Sequence, residues 1–164
     1  MPTFNKKGAH LMNDFTLNVK QTSGLTPKEL IKIMQERTKV FVVEQNCPYQ
    51  GIDEKDENAL HIFFTNSNEI LAYTRIVLND DQVHPSFGRV LVPKNMRGKG
   101  FGRKIVTATL DIISQKYPGQ DIKIQAQTYL EKFYSSFGFQ AVSQQYLEDD
   151  IPHIDMLLSN GPHA

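Results

Sequence analysis

The spacing of apolar residues changes several times along the chain, and each change marks an element. Phe15-Thr-Leu-Asn-Val-Lys20 alternates apolar and polar, the period-two pattern of a half-buried strand. Thr26, Pro27 and Glu29 then supply a cap, a first-turn proline and an acid at the third position, the start of a helix. Leu30, Ile31, Met34, Val40 and Phe41 continue it at roughly helical spacing, and it is predicted to fade near Glu44. Asn46-Cys-Pro-Tyr-Gln-Gly51 reads as a loop. Leu60–Phe64 and Ile70–Leu78 flank the turn at Ser67-Asn-Glu69 and predict a hairpin. After a turn at Asn79–Gln82, Gly88–Val92 forms a short strand that stops at Pro93, which has no N–H to offer a ladder.

A second amphipathic helix follows, with Phe101, Ile105, Ala108 and Ile112 as its predicted core stripe and Tyr117-Pro-Gly as its end. Asp121–Gln127 alternates as a strand. Leu130–Phe137 is a short helix closed by Gly138. Two last strands are predicted over Phe139–Tyr146 and His153–Leu158. The order β-α-β-β-β-α-β-α-β-β predicts an α/β fold, a mixed sheet with helices packed on it. Residues 1–13 show no periodicity. They are expected to be a disordered tail, or an extension ahead of a natural start at Met12, leaving one domain over residues 15–160.

Composition narrows the function classes. Eighteen Lys+Arg balance eighteen Asp+Glu, which argues against a general nucleic-acid or anionic-membrane binder. The single cysteine, Cys47, excludes an internal disulfide framework and a multi-cysteine zinc site, and is expected to be packed in its loop. The five histidines show no metal spacing, so no metal is expected. No apolar run approaches the roughly 18 residues of a membrane span, and no apolar stretch follows Lys6 and Lys7. A cytoplasmic protein is the working expectation.

Arg97-Gly-Lys-Gly-Phe-Gly-Arg103 carries most of the chemistry. It lies between a strand end and a helix start. A helix N-terminus exposes unpaired N–H groups, glycines let backbone approach an anion, and Arg97, Lys99 and Arg103 add charge, which together suit a pyrophosphate. Two familiar phosphate patterns fail. The P-loop needs glycine five before Gly98 and Ser/Thr after Lys99, and the dinucleotide pattern needs glycine where Arg103 stands. A glycine-rich turn with solvated cations is the plain alternative.

This segment resembles the Gln/Arg-x-x-Gly-x-Gly/Ala signature of the GCN5-related N-acetyltransferase (GNAT) superfamily, and Tyr134-Ser-Ser-Phe-Gly-Phe139 resembles the ending of that family's last helix. A closer resemblance, to the ElaA-like branch, rests on Arg37–Tyr49 with Asp53 and Asp56, on Ala59-Leu-His61, on Gly88-Arg-Val90 and on Glu148–His153. It implies the GNAT acyl-CoA N-acyltransferase fold, a mostly antiparallel sheet whose fourth and fifth strands splay apart. It also implies acetyl-CoA as co-substrate. The backbone of Leu91 and Val92 would pair with pantetheine, and Arg97, Gly98, Lys99, Gly100, Phe101, Gly102 and Arg103 would hold the pyrophosphate. Gln127 stands where many relatives have asparagine near the pantetheine.

The implied reaction is direct transfer of an acetyl group to a primary amine, on a small molecule or a protein. An alkylamine arrives protonated, so a group or water must accept its proton. Tyr134 matches the tyrosine that protonates the leaving thiolate. Glu44 and His153 are the candidate bases, with His61 behind them. A non-catalytic acyl-CoA-binding or regulatory module is the alternative. A homodimer is expected by analogy with the superfamily alone.

Overall fold

The computed structural model describes residues 14–159, so the expectation for residues 1–13 lies outside the described residues. Strand β1 (Thr16–Gln21) leads to helix α1 (Pro27–Thr38). Its start is the capping box read from sequence: Thr26 Oγ1 accepts from the Glu29 N–H at 3.1 Å, and Glu29 Oε1 accepts from the Thr26 N–H at 2.9 Å. The helical path ends at Glu44, as expected. Lys39–Glu44 continue it as π-helical turns, the widened winding common at functional sites. The buried face of α1 is Ile33, Glu36 and Arg37, so Ile31, expected to face inward, is exposed.

Strands β2 (Leu60–Asn66), β3 (Glu69–Leu78) and β4 (Pro85–Leu91) follow as antiparallel neighbours, giving the sheet order β1-β2-β3-β4. Helix α2 (Phe101–Lys116) packs across it. Strand β5 (Ile122–Gln127) opens a second sheet. Helix α3 (Glu131–Ser135) precedes β6 (Gln140–Ala141), β7 (Tyr146–Glu148) and β8 (Ile151–Leu158). β8 is the spine of this sheet and pairs antiparallel with β5, β6 and β7. The strand expected over Phe139–Tyr146 is therefore two short pieces; between them the Val142 N–H still donates to the Asp155 carbonyl at 2.9 Å, while the Asp155 N–H turns to Ser143 Oγ at 2.9 Å.

No ladder joins β4 to β5 among the described residues. The two sheets part there, and α2 bridges them from one face. Phe101, Ile105, Val106 and Ile113 are buried against Ile62, Phe64, Ile76, Ile124 and Met156. Each such side chain contributes about 1.5–3 kcal/mol by leaving water. The α2 stripe is rotated slightly from the expected one. Thr109 and Ile113 sit innermost, Thr109 returning its hydroxyl to the Ile105 carbonyl at 2.7 Å, and Ala108 and Ile112 are half-buried beside them. A smaller core of Ile33, Val40, Phe63, Ile70, Tyr73 and Leu91 locks α1 onto the opposite face of β3.

Candidate active site

A cleft of about 960 Å³ follows the gap between β4 and β5. β4 reaches it through a bulge. Gly88 lies opposite Arg75 and Leu91 opposite Tyr73, so β4 spends one residue more than β3, and Arg89 adopts a left-handed φ of 54°. Such a bulge re-aims side chains and ends pairing, and here it leaves the edge of β4 facing the gap rather than β5. Leu91 and Val92 line that edge.

Beyond Pro93 a short turn (Lys94–Met96) returns the chain to the start of α2. Gly98 and Gly100 have φ of 77° and 83°, and a methyl built on either would meet no heavy atom within 4 Å. Gly100 is the N-cap of α2. The loop therefore opens onto free space with the unpaired N–H groups of a 16-residue helix behind it, which suits an anion. Gly98, Gly100, Phe101 and Gly102 line the cleft, but Lys99 and Arg103 do not. Lys99 faces a separate groove beside Pro93 and Lys94. Arg103 lies 4.5 Å above the Phe137 ring and donates to Ser136 Oγ at 2.5 Å. Arg97 is also engaged: its Nε donates to the Val92 carbonyl at 2.9 Å, and its Nη2 meets Glu44 Oε2 at 2.8 Å. The π-helical turns place Glu44 at that mouth.

Tyr134, Gln127 and His153 line the opposite wall. Tyr134 is buried among Phe87, Phe133 and Phe139, and burial pushes its phenol up from the ordinary tyrosine range. Gly138, at φ 100°, closes α3 so that the Phe139 N–H reaches back to the Tyr134 carbonyl at 3.3 Å, fixing the tyrosine at the helix end. Gln127 Nε2 donates to Gln45 Oε1 at 3.3 Å, tying the end of β5 to the loop after α1.

His153 lies across the β5–β8 ladder from Gln127 and across the β7–β8 ladder from Tyr146. Its Nδ1 sits 2.7 Å from the Ile151 carbonyl, a partner that can only accept, so Nδ1 carries the proton in the neutral ring. Nε2 keeps its lone pair, with Glu148 Oε2 at 3.5 Å. Cys47 is packed, its thiol donating to the Asp149 carbonyl at 3.3 Å.

His61 is not in the cleft. It is fully buried between Tyr73 Oη at 2.7 Å and Thr22 Oγ1 at 2.8 Å, and burial pushes its pKa down to about 4. It borders a cluster that sequence reasoning missed. Arg37 grips Asp56 through two bonds of 2.6 and 3.0 Å. Arg75 grips Asp53 at 2.7 and 3.0 Å and also reaches Asp56 at 2.9 Å. Arg89 completes it, its Cζ 5.5 Å above the centre of the Tyr49 ring. Burial alone would raise the Asp56 carboxyl, but the Arg37 guanidinium holds it far below the usual range. The signal was available at Arg75, a charge within the apolar run Ile70–Leu78.

The family model described as an acetyltransferase (GNAT) domain matches residues 18–159. Protein ElaA of Escherichia coli K12 is 42% identical over 137 residues, covering 82% of this chain and 90% of that protein. A UPF0039 protein of Synechocystis is 41% identical over 144 residues, covering 87% and 92%. Among solved structures, an acyl-CoA N-acyltransferase from Pseudomonas aeruginosa superposes with a TM-score of 0.83 at 36% identity, covering 87% of this chain and 98% of that one. Escherichia coli ElaA superposes with a TM-score of 0.81 at 38% identity and the same coverage. The parted sheets, the glycine N-cap of α2 and these likenesses agree: the chain belongs to the GNAT acetyltransferase family.

Proposed function

We propose that the protein transfers an acetyl group from acetyl-CoA directly to a primary amine. The observation that carries this is the cleft itself. An unpaired β4 edge runs toward an open glycine N-cap, and a buried tyrosine and a histidine with a free lone pair share its opposite wall.

Acetyl-CoA supplies the activated acyl group as a thioester. The β4 edge at Leu91 and Val92 offers backbone groups to an extended amide chain, and the loop from Gly98 to Gly102 offers N–H groups to the pyrophosphate. Arg97 stands at the same mouth and can turn from Glu44 to a phosphate. A backbone N–H near Val92 would stabilise the negative charge developing on the carbonyl oxygen.

His153 is the better proton acceptor of the two candidates. Its Nδ1–H is held by Ile151, which leaves Nε2 to take a proton, and Glu148 at 3.5 Å from Nε2 is close enough to stabilise the imidazolium that forms. Glu44 is occupied by Arg97, which it holds until a phosphate takes its place. Tyr134, held neutral by burial, gives its proton to the departing thiolate.

A thermal-shift titration with acetyl-CoA, against CoA, NAD and ATP, tests the cofactor assignment. At 100 times the dissociation constant the ligand adds about 2.7 kcal/mol, roughly 5–10 °C in a chain of this size. A rise confined to the CoA species supports the reading, and a rise with NAD or ATP alone overturns it.

A further inference from the structure

We propose that the acceptor amine carries a carboxylate, which Arg89 receives beside Tyr49 at the acceptor end of the cleft. The inference rests on the acyl-transfer reading above and names the class of acceptor.

It begins with a charge imbalance. Three guanidiniums, Arg37, Arg75 and Arg89, share two carboxylates, Asp53 and Asp56. The carboxylates are spoken for. Asp56 is taken by Arg37 and Arg75, and Asp53 by both nitrogens of Arg75. Arg89 is left with long contacts. Among the described residues its guanidinium hydrogen-bonds only through Nη2, at 3.3 Å to the Gly51 carbonyl and 3.4 Å to Asp53, and its Nε is buried without a partner. Burial, then the positive charge of Arg75, weakens the hold of Arg89 on its proton, the signature of a cation short of counter-charge.

Its placement also points to a ligand. Arg89 lines the cleft, with 23% of its side chain exposed. It sits at the bulge, in a left-handed conformation that costs a non-glycine residue about 1 kcal/mol or more and that clusters at functional sites. The Tyr49 ring lies under the guanidinium, 5.5 Å from ring centre to Cζ, a cation–π contact that restricts where the side chain can go. A planar, oriented guanidinium is the side chain best matched to a carboxylate.

The other acids along the cleft do not compete for it. Glu44 is paired with Arg97, Asp80 with Lys55, and Glu148 lies beside His153. Asp149, in the turn after Glu148, lies beside the Cys47–Tyr49 loop and its charge reaches the Tyr49 phenol, but among the described residues it makes no hydrogen bond or ion pair with Arg89. Cationic Arg89 and the acidic His153 wall thus complement a molecule with an anion at one end and an amine at the other.

The test measures amine-dependent CoA release with matched acceptors: α-amino acids and ω-amino acids of graded length, each against its amide. The amide keeps the amine and the size and removes the charge. The acids should exceed their amides in kcat/KM by about 10- to 100-fold, the value of one hydrogen-bonded charge. Arg89→Gln should abolish that preference while acetyl-CoA affinity holds, and Arg89→Lys should restore part of it. Equal kcat/KM for acids and amides in the unaltered protein overturns the inference and leaves acyl transfer intact. Should no amine release CoA, the acyl-transfer reading fails. Binding of 6-aminohexanoate and its amide to the CoA-loaded protein, followed by NMR, then decides the carboxylate site. Preference for the acid, lost in Arg89→Gln, supports it, and equal binding overturns it.

Discussion

Arg97 and Glu44 form a 2.8 Å ion pair across the mouth of the cleft, joining the start of the glycine loop to the last π-helical turn after α1. If Arg97 turns to a phosphate, as proposed, Glu44 must release it. The pair is partly exposed, and such pairs contribute about 0.2–1 kcal/mol. Glu44→Gln should therefore tighten acetyl-CoA binding by about 1.5- to 5-fold, and Arg97→Ala should weaken it, both read by calorimetric titration. Weaker binding in Glu44→Gln would show that the pair supports the site rather than competing with the phosphate.

Tyr134→Phe removes one buried hydroxyl and little volume. If Tyr134 protonates the thiolate, kcat falls by about 100-fold or more, the ordinary share of a general acid, while the KM for acetyl-CoA holds. His153→Ala should cost a similar factor and Glu148→Gln a smaller one, since Glu148 acts only through the imidazole. Unchanged turnover in Tyr134→Phe would remove that residue from the chemistry.

The Gly100 backbone is left-handed, so Gly100→Ala brings a strain of about 1–2 kcal/mol and sets a methyl in the space facing the helix N-terminus. Acetyl-CoA affinity should fall by at least tenfold (about 1.4 kcal/mol), with a modest drop in Tm. A drop in Tm without loss of affinity would move the pyrophosphate elsewhere.

His61 links stability to pH. It stays neutral in the fold down to about pH 4, whereas in the unfolded chain it takes up a proton near pH 6.5. The unfolded state therefore binds more protons between these values, and stability falls as pH falls. From pH 7 to pH 5 the loss is about 2 kcal/mol, visible as a lower urea midpoint, and His61→Gln should flatten that slope. The Asp56 carboxyl, held low by Arg37, adds its loss only below about pH 4. Removing its charge in Asp56→Asn should cost about 3–5 kcal/mol, because Arg37 is left buried without its partner.

Much of this architecture was readable because it is local. The Thr26–Glu29 capping box, the stop at Pro93, the glycine N-cap of α2 and the Gly138 closure of α3 each depend on a few neighbouring residues. Long-range pairing was harder to read. The register of β8 against three partners divides the predicted strand Phe139–Tyr146 into β6 and β7, and no local pattern encodes that. At the site, Leu91, Val92, the glycines, Gln127, Tyr134 and His153 do come together around one cleft. Lys99 and Arg103 turn away from it because one faces a separate groove and the other is drawn onto Phe137. Arg75 flags a buried charge, but the Arg–Asp cluster as a whole was hidden for the same reason as the register: its members are distant in sequence and meet only when α1, β3, β4 and the Gly51–Asp56 loop converge.

Thiol release from acetyl-CoA across a panel of primary amines reads acetyl transfer in the β4–β5 cleft itself. Amine-dependent release is expected, with matching acetylated product by mass spectrometry and loss of both in Tyr134→Phe. Tight acetyl-CoA binding with no amine-dependent release would contradict it, and would make the cleft the binding site of a non-catalytic acyl-CoA module.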